Sequence, residues 1–287
     1  MTRSVEPLLG TRGEVDVRVA RATEVARVED AIVAEIQRLE AIFTVFDPSS
    51  ALSSFRSTGA TDVPELLEVL ALAEQWIERS GGAFTPRVQD LIRIWDAAER
   101  DGALPTDADL ARAVGQLGSH PIDNLNAIAK GWIAERALLS ATSAQDVQSA
   151  WLSLGGDIVH RGRESMRVGI EDPARPYDNV APLATVLLQD EALATSGGAR
   201  RYWTIDGTRY AKVLDPRTGR PVDDVVSATV IAPSAADADV LATIGLVMDS
   251  AEFFTLLPAG GAALLVFRDG SVRQSSDRFE LRPSPAT

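Results

Sequence analysis

The sequence contains no cysteine, only two histidines (His120 and His160) and, among 28 basic residues, only two lysines (Lys130 and Lys212). The missing cysteine removes disulfides, thiolate nucleophiles and cysteine-ligated zinc or iron–sulfur centres. Two histidines are too few for a three-histidine zinc site. Acidic residues number 41, which leaves a net charge of −13. That excess argues against a nucleic-acid partner, because neutralising a run of phosphates takes a basic face. It does not exclude a small anion held by local dipoles. No run approaches the roughly 18 uncharged apolar residues that a membrane helix needs. The start, Met1-Thr2-Arg3-Ser4-Val5-Glu6-Pro7, lacks the apolar stretch of an export signal, and no cysteine is available for a lipid anchor. The expectation is a cytoplasmic protein, or one exported after loss of a leader.

What is present is an ordinary foldable composition, 45% apolar and 24% charged over 287 residues. That length can bury a sizeable core in one large domain or two small ones. The excess of arginine over lysine reads as genomic base composition at most positions. Glu14 to Val19 alternates valine with charge and predicts a strand. Val25, Val28, Ile32, Ile36, Leu39 and Ile42 recur at helical spacing and predict a long amphipathic helix over 22–43, broken by Asp47-Pro48-Ser49-Ser50. Further helices are expected over 64–79, ending at Gly81-Gly82, over 88–100, and as a short one opening at Thr106-Asp107-Ala108-Asp109. Another should run from about Asn126 to Ala141. Short β-like runs follow at 151–154, 158–160, 166–170 and 184–189. A last helix is expected over 235–248, then a buried strand at 262–267. Helices and strands in blocks predict an α+β fold rather than regular βαβ alternation.

Four segments depart from ordinary core or surface composition. Ala127-Ile128-Ala129-Lys130-Gly131-Trp132 sits at a helix start. It reads either as an anion site with close backbone approach or as a small-residue packing seam with an exposed lysine. Leu154-Gly155-Gly156-Asp157 reads as a tight ligand approach or as a plain hairpin turn. Thr195-Ser196-Gly197-Gly198-Ala199-Arg200-Arg201 has the backbone and guanidinium groups to cradle a phosphate. After it, Asp206-Gly207 and Asp215-Pro216-Arg217-Thr218-Gly219 read as turns. In Ser234 to Thr243, Ser234 and Asp237 have capping-box spacing. Asp239 and Thr243 share a helix face, as metal-binding oxygens or as plain surface polarity.

Along the chain stand Leu9-Gly10-Thr11, Gly82-Ala83-Phe84-Thr85-Pro86, Ala129-Lys130-Gly131, Leu154-Gly155-Gly156-Asp157, Gly169-Ile170-Glu171-Asp172-Pro173, Thr195-Ser196-Gly197, Leu214-Asp215-Pro216-Arg217-Thr218-Gly219, and Ala238-Asp239 to Thr243. This ordered series resembles the ApbE family, the FAD:protein FMN transferases, over nearly the whole length. The resemblance implies one two-lobed, T-fold-related α+β domain over residues 1–287, with FAD bound in a cleft and a divalent cation, usually Mg2+, by its pyrophosphate. It implies transfer of FMN to a threonine or serine hydroxyl of an acceptor flavoprotein, with release of AMP. Some members instead hydrolyse FAD to FMN and AMP. By motif, the metal ligands would be the Ala129 carbonyl, Asp239 and Thr243. Asp157, Ser196 and Gly197 would line the flavin site. Glu171 and Asp172 would lie near the adenosine, and Lys130 and Arg200 would offset the pyrophosphate. Lys212 and Asp215 would act in catalysis.

The sequence also departs from the family. Ala211-Lys212-Val213-Leu214-Asp215-Pro216 stands where the family usually reads His-His-Ile-Leu-Asp-Pro, so Lys212 replaces a histidine thought to act in transfer. Gly82 to Arg87 lacks the acid of Gly-Ala-Phe-Asp-Pro-Thr, and Asn126 replaces a common glycine. These changes keep two alternatives beside the transferase: an FAD-binding protein without transfer, and an FAD pyrophosphatase. Thr58-Gly59-Ala60-Thr61 is similar to the tail of an acceptor motif, but Phe55 stands where its acid belongs, so the segment reads as a polar loop.

Overall fold

The alternation near the start folds as a strand in the computed structural model, where Arg3–Leu8 (β1) pairs antiparallel with Thr11–Val19 (β2). The structure describes residues 3–8, 10–19, 22–119, 121–142, 147–176, 180–198 and 201–282. After a 3-10 turn at Ala22–Glu24, the long amphipathic helix is Val25–Phe43 (α1), with Val28, Ile32, Ile36, Leu39 and Phe43 on its buried face. A helix that the sequence did not announce follows at Ala51–Thr58 (α2). Ser50 caps it by accepting the Ser53 N–H, and Gly59, at φ 75°, ends it. Pro64–Arg79 (α3) matches its expected bounds, with proline in the first turn where no N–H is needed. Gln89–Asp101 (α4) and Asp107–Gln116 (α5) follow, the latter capped by Thr106.

The next helix, Ala129–Thr142 (α6), begins three residues later than expected. Asn124 accepts the Asn126 N–H, and the N–H groups of Ile128 and Ala129 both turn back to the Leu125 carbonyl, so a turn occupies 126–128. The four β-like runs become Val147–Leu154 (β3), Asp157–Gly162 (β4), Met166–Ile170 (β5) and Ala184–Leu188 (β6), and a strand that the sequence did not announce follows at Ala192–Gly197 (β7). Two small hairpins, Tyr202–Ile205 with Thr208–Ala211 (β8, β9) and Leu214–Asp215 with Arg220–Pro221 (β10, β11), lead to Val225–Ala232 (β12). Ala235–Ile244 (α7) is four residues shorter than expected, and it is not the last helix, because Ser250–Phe254 (α8) follows. Gly245 lies against the Phe253 ring and Ala228, turns continue to Met248, whose N–H reaches the Ile244 carbonyl, and Asp249 then caps α8. Ala262–Phe267 (β13), Val272–Gln274 (β14) and Glu280–Leu281 (β15) complete the chain.

Eight strands form one antiparallel sheet in the order β1-β2-β3-β4-β7-β12-β13-β14. Its two faces are covered differently, which explains why β12 and β13 are apolar without alternation. One set of residues, including Ala228, Val230, Ala263 and Leu265, joins the large core under α1, α3, α6 and α7. Ile231, Ala262, Leu264 and Leu193 face the other way and pack against the three-stranded sheet β15-β6-β5. A third apolar cluster, with Leu91, Trp95, Leu110, Trp203, Ile205 and Leu214, joins α4 and α5 to the β8–β9 hairpin. The fold is α+β, as expected. Among the described residues, no helix is long and apolar enough to cross a membrane.

Candidate functional site

Helices α6 and α7 meet backbone to backbone. A Cβ on Gly131 would stand 2.3 Å from the Ala235 carbonyl oxygen, so only glycine fits. Glu135, one turn along α6, accepts the Ala235 N–H at 2.8 Å and pairs with Arg161. Ser234 caps α7 by accepting the Asp237 N–H, as its spacing suggests. The capping box stays half made, however, because the Asp237 carboxylate accepts the Trp76 indole N–H at 2.8 Å. The packing-seam reading of 127–132 is therefore right about the small residues. It is wrong about the lysine: Lys130 is not free at the surface but forms an ion pair with the buried Asp157.

Asp157 reaches that place through the Gly155-Gly156 turn. Both glycines have positive φ, 62° and 100°, and Leu154 pairs directly with Asp157 across the β3–β4 hairpin. The plain hairpin is thus present and also delivers the carboxylate, which accepts the Thr195 N–H of β7 at 3.4 Å. Asp239, on α7, is buried and accepts the Gly131 N–H at 3.3 Å. Burial raises its carboxyl above the usual range, and the Lys130 ammonium and the Gly131 N–H oppose that rise without cancelling it. Thr243, one turn on, touches the Asp239 carbonyl at 3.4 Å and the Ser196 hydroxyl of β7 at 3.3 Å. Lys130, Asp157, Ser196, Asp239 and Thr243 thus gather where α6, α7, β4 and β7 meet.

The end of β7 also touches the β8–β9 hairpin at the residue before Lys212. A Cβ on Gly198 would meet the Ala211 Cβ at 2.7 Å, so glycine lets the end of β7 lie against the residue before Lys212. The oxygen donors match a hard cation. Among the described residues, no group of three or more His, Asp or Glu could hold a metal alone, so a cation here would need backbone and hydroxyl oxygens as well. The Ala129, Asp239 and Thr243 set has that character, and Ala129 opens α6 two residues before Gly131.

The ApbE family model matches residues 9–265, which is most of the chain. The chain belongs to the ApbE family. Among its relatives, a protein of Treponema pallidum named FAD:protein FMN transferase is 29% identical, over 94% of this chain and 86% of the relative. One of the same name from Vibrio cholerae is 28% identical, over 83% of this chain and 79% of the relative. The ApbE protein of Thermotoga maritima superposes with a TM-score of 0.80 at 24% identity, over 96% of this chain and 97% of the other. The apo flavinyl transferase ApbE of Pseudomonas stutzeri gives 0.76 at 24% identity, over 96% and 94%. The two structures show the ApbE fold.

Other residues expected from the ApbE resemblance stand apart from this gathering in their contacts. The Lys212 ammonium faces Asp96 at 3.8 Å and Glu99 at 4.0 Å on α4. The Asp215 carboxylate is taken up by Arg217, accepting its backbone N–H and two guanidinium N–H groups at 2.9 Å. Arg217 in turn donates to the Val247 carbonyl past α7. Asp172 accepts from Arg175 and Arg282. Burial draws its carboxyl upward, but the two guanidinium groups and the Ala174 N–H outweigh that and hold it below the usual value. Glu171 is exposed beside it. Arg200 lies outside the described residues. Sequence reasoning missed Ala235 and Asp239 as the partners of Gly131, Thr195 as a donor to Asp157, and the α4 acids around Lys212. All are long-range pairings that no local spacing announces.

Proposed function

We propose that this chain is an FAD:protein FMN transferase that moves FMN from FAD to a threonine or serine hydroxyl of an acceptor flavoprotein and releases AMP. The observation that carries this reading is the gathering of Lys130, Asp157, Ser196, Asp239 and Thr243 at one junction, with Lys212 anchored just beyond it. In the reaction the acceptor oxygen bonds to the FMN phosphorus and the pyrophosphate P–O bond breaks. AMP leaves with the bridging oxygen, and the hydroxyl proton passes to solvent. Such a displacement depends on positioning and on neutralising charge. A magnesium ion held by the Ala129 carbonyl, Asp239 and Thr243 would supply the largest share of that charge. Lys130, held by Asp157, offers a second positive charge, and Ser196 and Gly197 offer close backbone approach to the flavin phosphate. Glu171 and Asp172 would lie toward the adenosine.

A specific observation favours keeping a second reading. Lys212 stands where the family usually has a histidine, and its ammonium faces two carboxylates, which suits a protein that binds FAD without transfer, or one that hydrolyses it to FMN and AMP. Mass spectrometry after incubation with FAD and magnesium, with and without an acceptor domain, separates the three. Covalent FMN on the acceptor with AMP supports transfer. AMP without acceptor labelling supports hydrolysis, and intact FAD supports binding alone. Asp239→Asn, nearly isosteric, should cut magnesium-dependent turnover by about a hundredfold or more while leaving the unfolding midpoint close to the parent. Undiminished turnover at limiting magnesium would remove Asp239 from the site.

A further inference from the structure

We propose that Asp96 and Glu99 are positioning residues for Lys212, and that with the face of Trp203 they fix its ammonium as a stationary cation beside the end of β7. This rests on the transferase reading above and gives Lys212 a role within it. A lysine side chain normally samples many rotamers, yet this one has three neighbours that all attract positive charge. They are Asp96 Oδ1 at 3.8 Å, Glu99 Oε2 at 4.0 Å and the Trp203 ring centroid at 5.2 Å.

Each neighbour is itself held. Trp203 is fully buried in the α4–α5 cluster, and its indole N–H donates to Asp96 Oδ1 at 2.7 Å. Glu99 divides its oxygens: Oε1 accepts the Thr204 N–H at 2.6 Å, and Oε2 faces the lysine. The backbone is fixed as well, since the Lys212 N–H donates to the Arg201 carbonyl at 3.0 Å and Ala211 abuts Gly198. A charge held this way suits stabilising negative charge that builds on phosphoryl oxygens, and it does so without reorganising at the moment of reaction. It does not suit removing the acceptor's proton.

The scarcity of lysine makes the test direct. Reductive methylation of the full chain with 13C-formaldehyde keeps the charge and gives two lysine signals, assigned with Lys212→Arg. The Lys212 methyl resonance should be displaced by the Trp203 ring current, and Asp96→Asn with Glu99→Gln should move it toward the position of dimethyl-lysine in the urea-unfolded chain. Asn at 96 still accepts the Trp203 N–H, so the fold is retained. In the transfer assay each single variant should lower kcat about three- to tenfold with the KM for FAD unchanged. In a Lys212→Met background the same changes should alter kcat by less than about twofold. An undisplaced Lys212 resonance overturns the proposal, as does a resonance blind to the double variant. An equal kcat loss without the lysine also overturns it, because the acids would then act through the fold. If the parent flavinylates no acceptor, the transferase reading fails alone. The resonance still decides whether the two acids hold the ammonium.

Discussion

Replacing Gly131 with alanine puts the α6–α7 seam under a direct load. The new Cβ would stand 2.3 Å from the Ala235 oxygen, 2.7 Å from its carbonyl carbon and 3.1 Å from the Ala236 nitrogen. Ordinary contact begins near 3.4 Å, and none of these atoms belongs to a side chain that can turn aside. The helices must therefore part by about an ångström. Parting them stretches the Ala235 N–H to Glu135 bond at 2.8 Å and the Gly131 N–H to Asp239 bond at 3.3 Å. Alanine gains about 1 kcal/mol in helix propensity. Overpacking costs about 1–3 kcal/mol, and each weakened hydrogen bond up to about 1 kcal/mol more. The net expectation is destabilisation by about 2 kcal/mol, or a fall of about 5 °C in Tm. Calorimetry and urea unfolding measure it. Gly115, inside α5 with nothing within 4 Å of its would-be Cβ, gives the opposite sign: Gly115→Ala should stabilise by about 0.5–1 kcal/mol. If Gly131→Ala proves as stable as the parent, the seam opens freely and the argument for a backbone-built junction is wrong.

Trp76→Phe should cost about 1.5–3 kcal/mol, because it removes the indole N–H that Asp237 accepts; a loss below about 0.5 kcal/mol in urea unfolding would show that the bond contributes nothing. His160 is buried and accepts the Asp190 N–H on Nδ1 at 3.1 Å. Desolvation pushes its pKa down, partly opposed by Asp190 and reinforced by Arg161. The folded state keeps the ring neutral while the unfolded chain binds a proton below about pH 6.5. Its contribution is thus fully present above that value and lost as pH falls through it, by up to about 1.4 kcal/mol per unit. His160→Gln should therefore lose less stability than the parent between pH 7.5 and 5.5. Parallel pH curves would contradict this.

The sequence displayed what depends on period and punctuation. The α1 stripe from Val28 to Phe43 and the Pro64 start of α3 needed no tertiary information. Helix α2 hid because its serine-rich eight residues bury only Leu52. The end of α7 at Ile244 hid because the apolar pattern runs on through Leu246 and Met248, which continue as turns rather than helix. In the site, Ser196, Asp239 and Thr243 were visible as motif members. Their partners were not: Gly131 and Asp239 lie 108 residues apart, and Asp96 and Trp203 lie 107 apart. Asp215 carried two readings at once, a turn residue and a catalytic acid. Its carboxylate answers to Arg217, the reading that local turn chemistry supplies.

Leu91, Trp95, Leu110, Trp203 and Leu214 pack as a cluster of their own, while Ala129, Asp157 and Asp239 answer to the junction under the main sheet. Substitutions on one side therefore need no answering change on the other. A lineage is free to exchange the side chain at position 212, and the acids that attend it, while the α6–α7 seam stays as it is. On the proposed reading, the residues that would handle phosphate and the residue that would address the acceptor hydroxyl can therefore be altered one set at a time.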